Sequence, residues 1–352
     1  MDFVFTDEQR MIAETAQAFF TENATSDRTR TAMAADGIDH ALWQAFCQEL
    51  GLSGIGIPEV AGGVGLGLVE LAIIAEAAGT QVAALPLLGS LALVAQAIAA
   101  GGSEAQRSQW LPLLLSGETI AAHVAADDLV ADGNRITASS AYVAHGGAAQ
   151  LLLVTGAGGS WLVRADAPGV TITCQTTMDQ TRPLARVALD GASGEPLADP
   201  RLGEQAATAA GLIALAAEGL GLAQAALDRT VAFARDRVQF GRAIGSFQAY
   251  KHRLADMMVE IEQARSAVYW AACAVDEGSD EALLALHAAK SFCADTAFRC
   301  AADMIQLHGG IGFTWEHDAH LFFKRARALQ TMMGKGDWHR EKVAAMVLGE
   351  TA

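Results

Sequence analysis

From about Leu202 almost to the C-terminus, apolar residues recur at helical spacing, and the run breaks only near Gly241, Gly278 and Gly309. So few breaks leave helices of many turns, rich in alanine and leucine, whose apolar stripes must be covered. Long helices cover one another by packing side by side. The stretch is therefore expected to form a four-helix bundle, with apolar surface to spare for a subunit interface. A chain of 352 residues, 52% apolar and 18% charged, suits such burial and has room for two or three domains.

The first third also reads as helical. Thr6 with Gln9 at the N3 position is a capping-box signature for a helix over Phe5 to Thr21, in which Met11, Ile12, Ala16, Phe19 and Phe20 share a face. Further helices are expected over Leu42 to Gly51, Leu68 to Gly79, Leu88 to Ala100 and Glu104 to Ser116. The glycine-rich LGLSGIGIPEVAGGVGLG has no Lys-Ser or Lys-Thr after it and no β-rich strand before it, so it is not read as a nucleotide cradle. After Thr119 short apolar runs alternate with turn residues: Ile120 to Ala125, Ala141 to Val143, Leu151 to Val154, Trp161 to Val163, Val170 to Cys174 and Ala185 to Leu189. The expected fold is mainly α with a small β-domain. It comprises an N-terminal helical domain (1–118), a central β-barrel or sandwich domain (119–200) and a C-terminal four-helix bundle domain (201–352).

Forty acidic against 24 basic residues give a formal charge of −16, which argues against a general affinity for nucleic acid or anionic lipid. Cys47, Cys174, Cys273, Cys293 and Cys300 are odd in number and form no C-x-x-C pair, so neither a disulfide framework nor a zinc site is expected. His308, His317 and His320 do not make an H-x-x-x-H pattern with a carboxylate, and no metal is expected there. The first twenty residues are acidic and amphipathic, unlike a secretory leader, and the apolar run Val82 to Ala100 is broken by Pro86 and Gly89. A soluble, cytoplasmic protein without a membrane span is expected.

Two stretches carry candidate chemistry. In RDRVQFGRAIGSFQAYKHRLADM, Arg235 to Met257, a helix ends at Arg237 and Phe240 before Gly241, a loop passes Gly245, and a helix restarts with Gln248, Lys251 and Arg253. Arginine at such a turn can hold a phosphate with two parallel hydrogen bonds, and Gln248 adds an amide suited to a diphosphate or sugar oxygen. In QLHGGIGFTW, Gln306 to Trp315, the glycines Gly309, Gly310 and Gly312 strip side chains from the backbone so that a ligand can lie against it. Taken singly, each is equally a helix cap with tight helix contacts.

Together, Arg237-x-x-Phe240-Gly241 with Gln248 and Gln306-x-x-Gly309-Gly310-x-Gly312-Phe313 resemble the C-terminal domain of flavin-dependent acyl-CoA dehydrogenases. GSEAQRSQWLPLLLSGE and the α, β, α order extend the resemblance over the whole chain. It implies that Arg237, Phe240, Gln248, Gln306, Gly309 and Gly310 hold the diphosphate and adenine half of an FAD that belongs chiefly to the neighbouring subunit. Elsewhere the chain departs from the family. The T-E-P-x-A-G-S-D stretch and the lysine-bearing strand ending in W-I-T-N, which hold the flavin ring in the family, are replaced by AAHVAADD (Ala121 to Asp128) and SAYVAHGG (Ser140 to Gly147). Ser140, Ala144 and His145 stand at the lysine, hydroxyl and asparagine positions.

Removing an α-proton while the β-hydrogen leaves as hydride needs a carboxylate in a water-poor pocket. The family's two positions for that glutamate fall on Met333 and Gly211, neither acidic. Glu218, two helical turns beyond Gly211 amid Leu215 and Leu222, is the surviving candidate, either as base or as a member of a structural ion pair. Glu316 and Asp337 read as helix-start or surface acids, and Lys324-Arg325-Ala326-Arg327 as a solvated or interface face. The resemblance implies a subunit of an FAD-dependent acyl-CoA dehydrogenase, with an electron-transfer flavoprotein as acceptor and a place in lipid or sterol degradation. DQTRPLARV, Asp179 to Val187, is like the shorter subunits of hetero-oligomeric bacterial enzymes of sterol side-chain degradation. Division of labour with a homologous partner subunit is therefore expected. The alternatives are a self-sufficient homotetramer using Glu218 and a flavin-free helical scaffold.

Overall fold

Thr6 caps α1 (Asp7–Asn23) through a complete capping box, its hydroxyl accepting from the Gln9 amide and Gln9 Oε1 accepting from the Thr6 amide. This is a computed structural model of the protein, describing residues 5–349. The N-terminal helices continue with α2 (Ser26–Ala34), α3 (His40–Gln48), α4 (Leu68–Thr80), α5 (Leu88–Gly101) and α6 (Glu104–Leu115). All five helices expected here begin within two residues of the expected position, α1 at Asp7 behind its Thr6 cap. The first part of α5, Leu88–Ala95, is π-helical, and α2 was not foreseen. Its sequence, SDRTRTAMA, buries only Thr29 and Ala32 and so carries almost no apolar period to read.

The strands make two four-stranded sheets. In one, β1 (Ala121–Ala125) runs parallel to β4 (Leu151–Gly156), which pairs antiparallel with β5 (Gly159–Arg164) and through it with β8 (Glu195–Pro196). In the other, β2 (Val130–Asp132), β3 (Arg135–Ala144), β7 (Leu184–Ser193) and β6 (Val170–Cys174) lie side by side, all antiparallel. Inward residues of both sheets, among them Val124, Leu152 and Val163 from the first and Ile136, Val187 and Leu189 from the second, share one core. That is a sandwich, one of the two forms expected.

The C-terminal part holds α7 (Pro200–Asp236), a short hairpin of β9 (Val238–Gln239) and β10 (Arg242–Ala243), α8 (Gln248–Asp276), α9 (Ala282–His308), α10 (Ala319–Thr331) and α11 (Gly336–Leu348). The breaks fall at the glycines named from sequence. By length and composition α7 could cross a membrane, but 83% of its most apolar window is buried inside the protein, as in the core helix of a folded domain.

The chain divides into two compact units. One gathers α1, Leu68–Ala83 and everything from Leu212 onward; the other joins Asp27–Gly67 to Ala84–Gly211. In the first unit α4 crosses α7 backbone to backbone. A Cβ on Gly79 would lie 2.2 Å from the Glu218 carbonyl oxygen, and one on Gly221 would lie 1.9 Å from that of Glu76. No larger residue fits at either position unless the helices separate. Asp276 at the end of α8 accepts from the Leu68 and Val69 amides at 2.9 and 3.1 Å, satisfying the open N-terminus of α4.

Candidate functional site

Arg237 follows the last residue of α7. Its amide donates to the Phe233 carbonyl, and its own carbonyl accepts from Ile244 on the far side of the hairpin, both at 2.9 Å. Phe240 and Gly241 form the turn between β9 and β10 at φ 54° and 76°, the two left-handed residues of a type I′ hairpin. Glycine reaches that region freely, but phenylalanine there carries strain on the order of 1–2 kcal/mol. The ring stands out at 89% exposure, edge-on to Phe247 at 6.1 Å between centroids. Arg242 stacks on the other aromatic, its guanidinium carbon 4.0 Å from the Phe247 ring centre.

Two contacts bring the second motif to this hairpin. Tyr250, in the first turn of α8, donates its hydroxyl to the Leu307 carbonyl at 2.9 Å, and burial pushes its pKa up to about 12, so the donor proton stays in place. Phe233 stacks on His308 at 4.4 Å between ring centres. Gly309 ends α9 at φ 62°, its amide donating back to Gln306. A Cβ built on Gly309 or Gly310 would meet nothing within 4 Å, so bare backbone faces open space.

Arg237, Phe240, Gln248, Gln306, Gly309 and Gly310 are all exposed, and the first and second motifs are thus parts of one surface. Among the described residues the Arg237 guanidinium and the side-chain amides of Gln248 and Gln306 have no hydrogen-bond or ion-pair partner within the chain. An unpartnered cation, two unpartnered amides and open glycine backbone are the donor set that a diphosphate requires, so these residues fit the anionic half of a dinucleotide cofactor. Exposed Val238, Ile311, Phe313 and Trp315 flank the same motifs. Sequence reasoning missed the hairpin and the role of Tyr250; the Phe-Gly pair between two short extended dipeptides was the available signal.

Glu218 is built differently. It lies on α7 beside fully buried Leu215 and Leu222 and is itself 7% exposed, and its Oε1 accepts from Nη1 of Arg325, which is 1% exposed. The basic run on α10, expected to form a solvated or interface face, does not lie on one face. Arg325 turns inward to Glu218, because a carboxylate among leucines must be matched, while Lys324 lies over the Trp315 ring and Arg327 over Phe298. Met333, at one family base position, sits in the turn after α10 at φ 53°; Gly211, at the other, lies within α7. Among the described residues no cluster of metal-ligating side chains occurs.

In the sandwich, His123 on β1 pairs with the Thr155 hydroxyl at 2.7 Å, and burial pushes it down to about 4, so both partners are neutral near pH 7. Asp128 is engaged by the amide and hydroxyl of Ser139 at 2.8 and 2.7 Å. His145 is buried at φ 54°, its amide donating to the Pro183 carbonyl. Ala144 offers no hydroxyl and Ser140 no ammonium at the positions where the resemblance leads one to expect the flavin-ring donors.

Residues 6–118 match the N-terminal domain of acyl-CoA dehydrogenases, and residues 205–348 match their C-terminal domain. Acyl-CoA dehydrogenase IpdE2 of Mycobacterium tuberculosis is 39% identical over 324 residues, 91% of this chain and 91% of that protein. The chain belongs to the acyl-CoA dehydrogenase family. It is thereby an oxidoreductase of a flavoprotein family whose cofactor is FAD. Among solved structures, the ChsE4-ChsE5 complex from Mycobacterium tuberculosis matches with a TM-score of 0.91 at 27% identity, covering 100% of both chains. A steroid ACAD, Tcur3481-Tcur3483, matches with a TM-score of 0.89 at 30% identity over 97% of this chain and 98% of that one. This acyl-CoA dehydrogenase therefore has the family's full α, β, α architecture, including the sandwich.

Proposed function

We propose that this chain is one subunit of a hetero-oligomeric acyl-CoA dehydrogenase that desaturates an acyl-CoA thioester at its α,β-bond, and that it lends its diphosphate and adenine site to the FAD of a homologous partner subunit. The observation that carries this reading is the exposed, unpartnered set at the α7–α8 hairpin and the end of α9. Arg237 grips phosphate oxygens, Gln248 and Gln306 donate their amides, and Gly309 and Gly310 let the ligand lie against the backbone. When bound, FAD supplies the hydride-accepting chemistry. Around it, the partner's β-domain holds the flavin ring and the partner's glutamate takes the α-proton. Exposed Phe240 and Phe313 cover the shared site when the subunits meet.

The matches to the ChsE4-ChsE5 complex and to the Tcur3481-Tcur3483 steroid ACAD support a heteromer and a steroid-derived acyl chain. A homotetramer using Glu218 as base is the weaker reading, because a carboxylate already accepting from a buried guanidinium would have to give up that bond to take a proton. The electron acceptor in this reading is an electron-transfer flavoprotein.

The test is to purify this chain alone and co-expressed with a longer homologue from the same genome, recording flavin absorbance and acyl-CoA oxidation. The reading expects flavin and turnover only on co-expression, both lost with Arg237→Ala and both kept with Glu218→Gln. Full flavin and turnover from this chain alone, abolished by Glu218→Gln, would establish the homotetramer instead. Assembly without flavin in either preparation would favour a scaffold.

A further inference from the structure

The connection between α10 and α11 is a strained turn held by three buried basic side chains. Met333 and Gly334 both have positive φ, 53° and 104°. Lys290 on α9, fully buried, donates to the Leu329 carbonyl at 2.9 Å and the Gly334 carbonyl at 3.4 Å. His339 on α11, also fully buried, has Nε2 3.0 Å from the Met333 carbonyl and Nδ1 2.7 Å from Nδ1 of His287 on α9.

These distances fix the tautomers. A carbonyl only accepts, so His339 carries its proton on Nε2 and presents a bare Nδ1, and His287 must donate to it from its own Nδ1. His339 serves as both donor and acceptor only while it is neutral. The geometry points to a proton-operated latch: protonation of His339 puts a second cation near Lys290 in a fully buried site, and release of the Met332–Lys335 turn relieves that cost.

The surrounding charges favour release once a proton arrives. From α9, Lys290 adds a positive charge, and the nearby Asp295 is already engaged by Arg340 and Gln330, each at 2.8 Å. From α11, Lys342 raises the positive potential at His287, and from α10 the Leu329 carbonyl accepts from Lys290. The thiol of Cys293, near Lys290, is pushed up by burial and stays neutral. Burial first, then Lys290 and His287, push His339 down to about 4. In the closed turn the proton is refused across the range where a free histidine takes it. The opening equilibrium therefore rises as pH falls from about 6.5, by at least about tenfold at pH 5.

Hydrogen–deuterium exchange of peptides covering residues 329–340, in the full chain in its native assembly and corrected for the intrinsic rate, reads this directly. We expect opening at pH 5 at least about tenfold above that at pH 7.5, confined to this segment. His339→Gln keeps an amide donor for the Met333 carbonyl but does not titrate, and it should abolish the rise. If that variant does not assemble, His339→Asn, a shorter amide that likewise does not titrate, gives the same comparison. A pH-independent turn in the wild-type protein, or an undiminished rise in His339→Gln, would overturn the latch.

Discussion

Two polar regions of the same helical unit are built in opposite ways. Glu218 and Arg325 are buried and bonded to each other, whereas Arg237, Gln248 and Gln306 are exposed, each without a side-chain partner among the described residues. A buried charge is tolerated only when matched, so pairing inside a core mainly reports what the fold requires. An unpartnered arginine among amides and open glycine backbone is not required by the fold at all. The contrast teaches that polarity with no internal use marks the site, and that the more conspicuous buried carboxylate is the poorer candidate for chemistry.

Breaking the ion pair should give the largest effect. Arg325→Met removes the buried guanidinium from which Glu218 accepts and is expected to destabilise the chain by about 3–5 kcal/mol in urea denaturation, whereas Glu218→Met combined with Arg325→Leu should recover most of that loss. A small effect of the single change would mean that Glu218 reaches water and could act as an acid or base after all. The exposed region should respond the other way. Arg237→Ala is expected to shift stability by less than about 0.5 kcal/mol. It should weaken FAD binding in the assembled enzyme by about tenfold to a hundredfold, as loss of charge-assisted hydrogen bonds implies.

Phe240 sharpens the contrast further, because its backbone strain gives the fold nothing. Phe240→Gly should leave the chain as stable or more stable by up to about 1 kcal/mol while weakening subunit association in sedimentation experiments. A destabilised monomer would assign the ring to the fold rather than to the interface. The mildest effect is a pH dependence in the sandwich. Burial pushes His123 down to about 4, so the unfolded chain takes up the proton first, and the contribution of this group is complete above about pH 6.5 and lost as pH falls toward 4. His123→Asn should flatten that part of the stability profile.

Most of the fold was legible because helical period and turn residues are local signals. α8 and α9 end just before Gly278 and Gly309, the break after α7 contains Gly241, and β6 runs over Val170–Cys174 as its pattern indicates. α2 escaped because it buries too little to show a period, and the π-helical opening of α5 has no pattern of its own. At the site, the residue types were readable but their partners were not. Nothing local in Lys324-Arg325-Ala326-Arg327 says which cation turns inward, since that is decided by Glu218 on another helix. The Tyr250 bond that joins the two glycine-bearing motifs is likewise a long-range contact between α8 and α9.

The central claim is that Arg237 and its neighbours serve a cofactor held by another subunit, and the direct measurement is FAD content per assembled particle with Arg237→Ala in this chain only. By mass and flavin absorbance on the same chromatographic peak, the account predicts an intact hetero-oligomer that has lost its flavin and regains it only at high added FAD. An intact hetero-oligomer carrying Arg237→Ala that keeps its full flavin would contradict it.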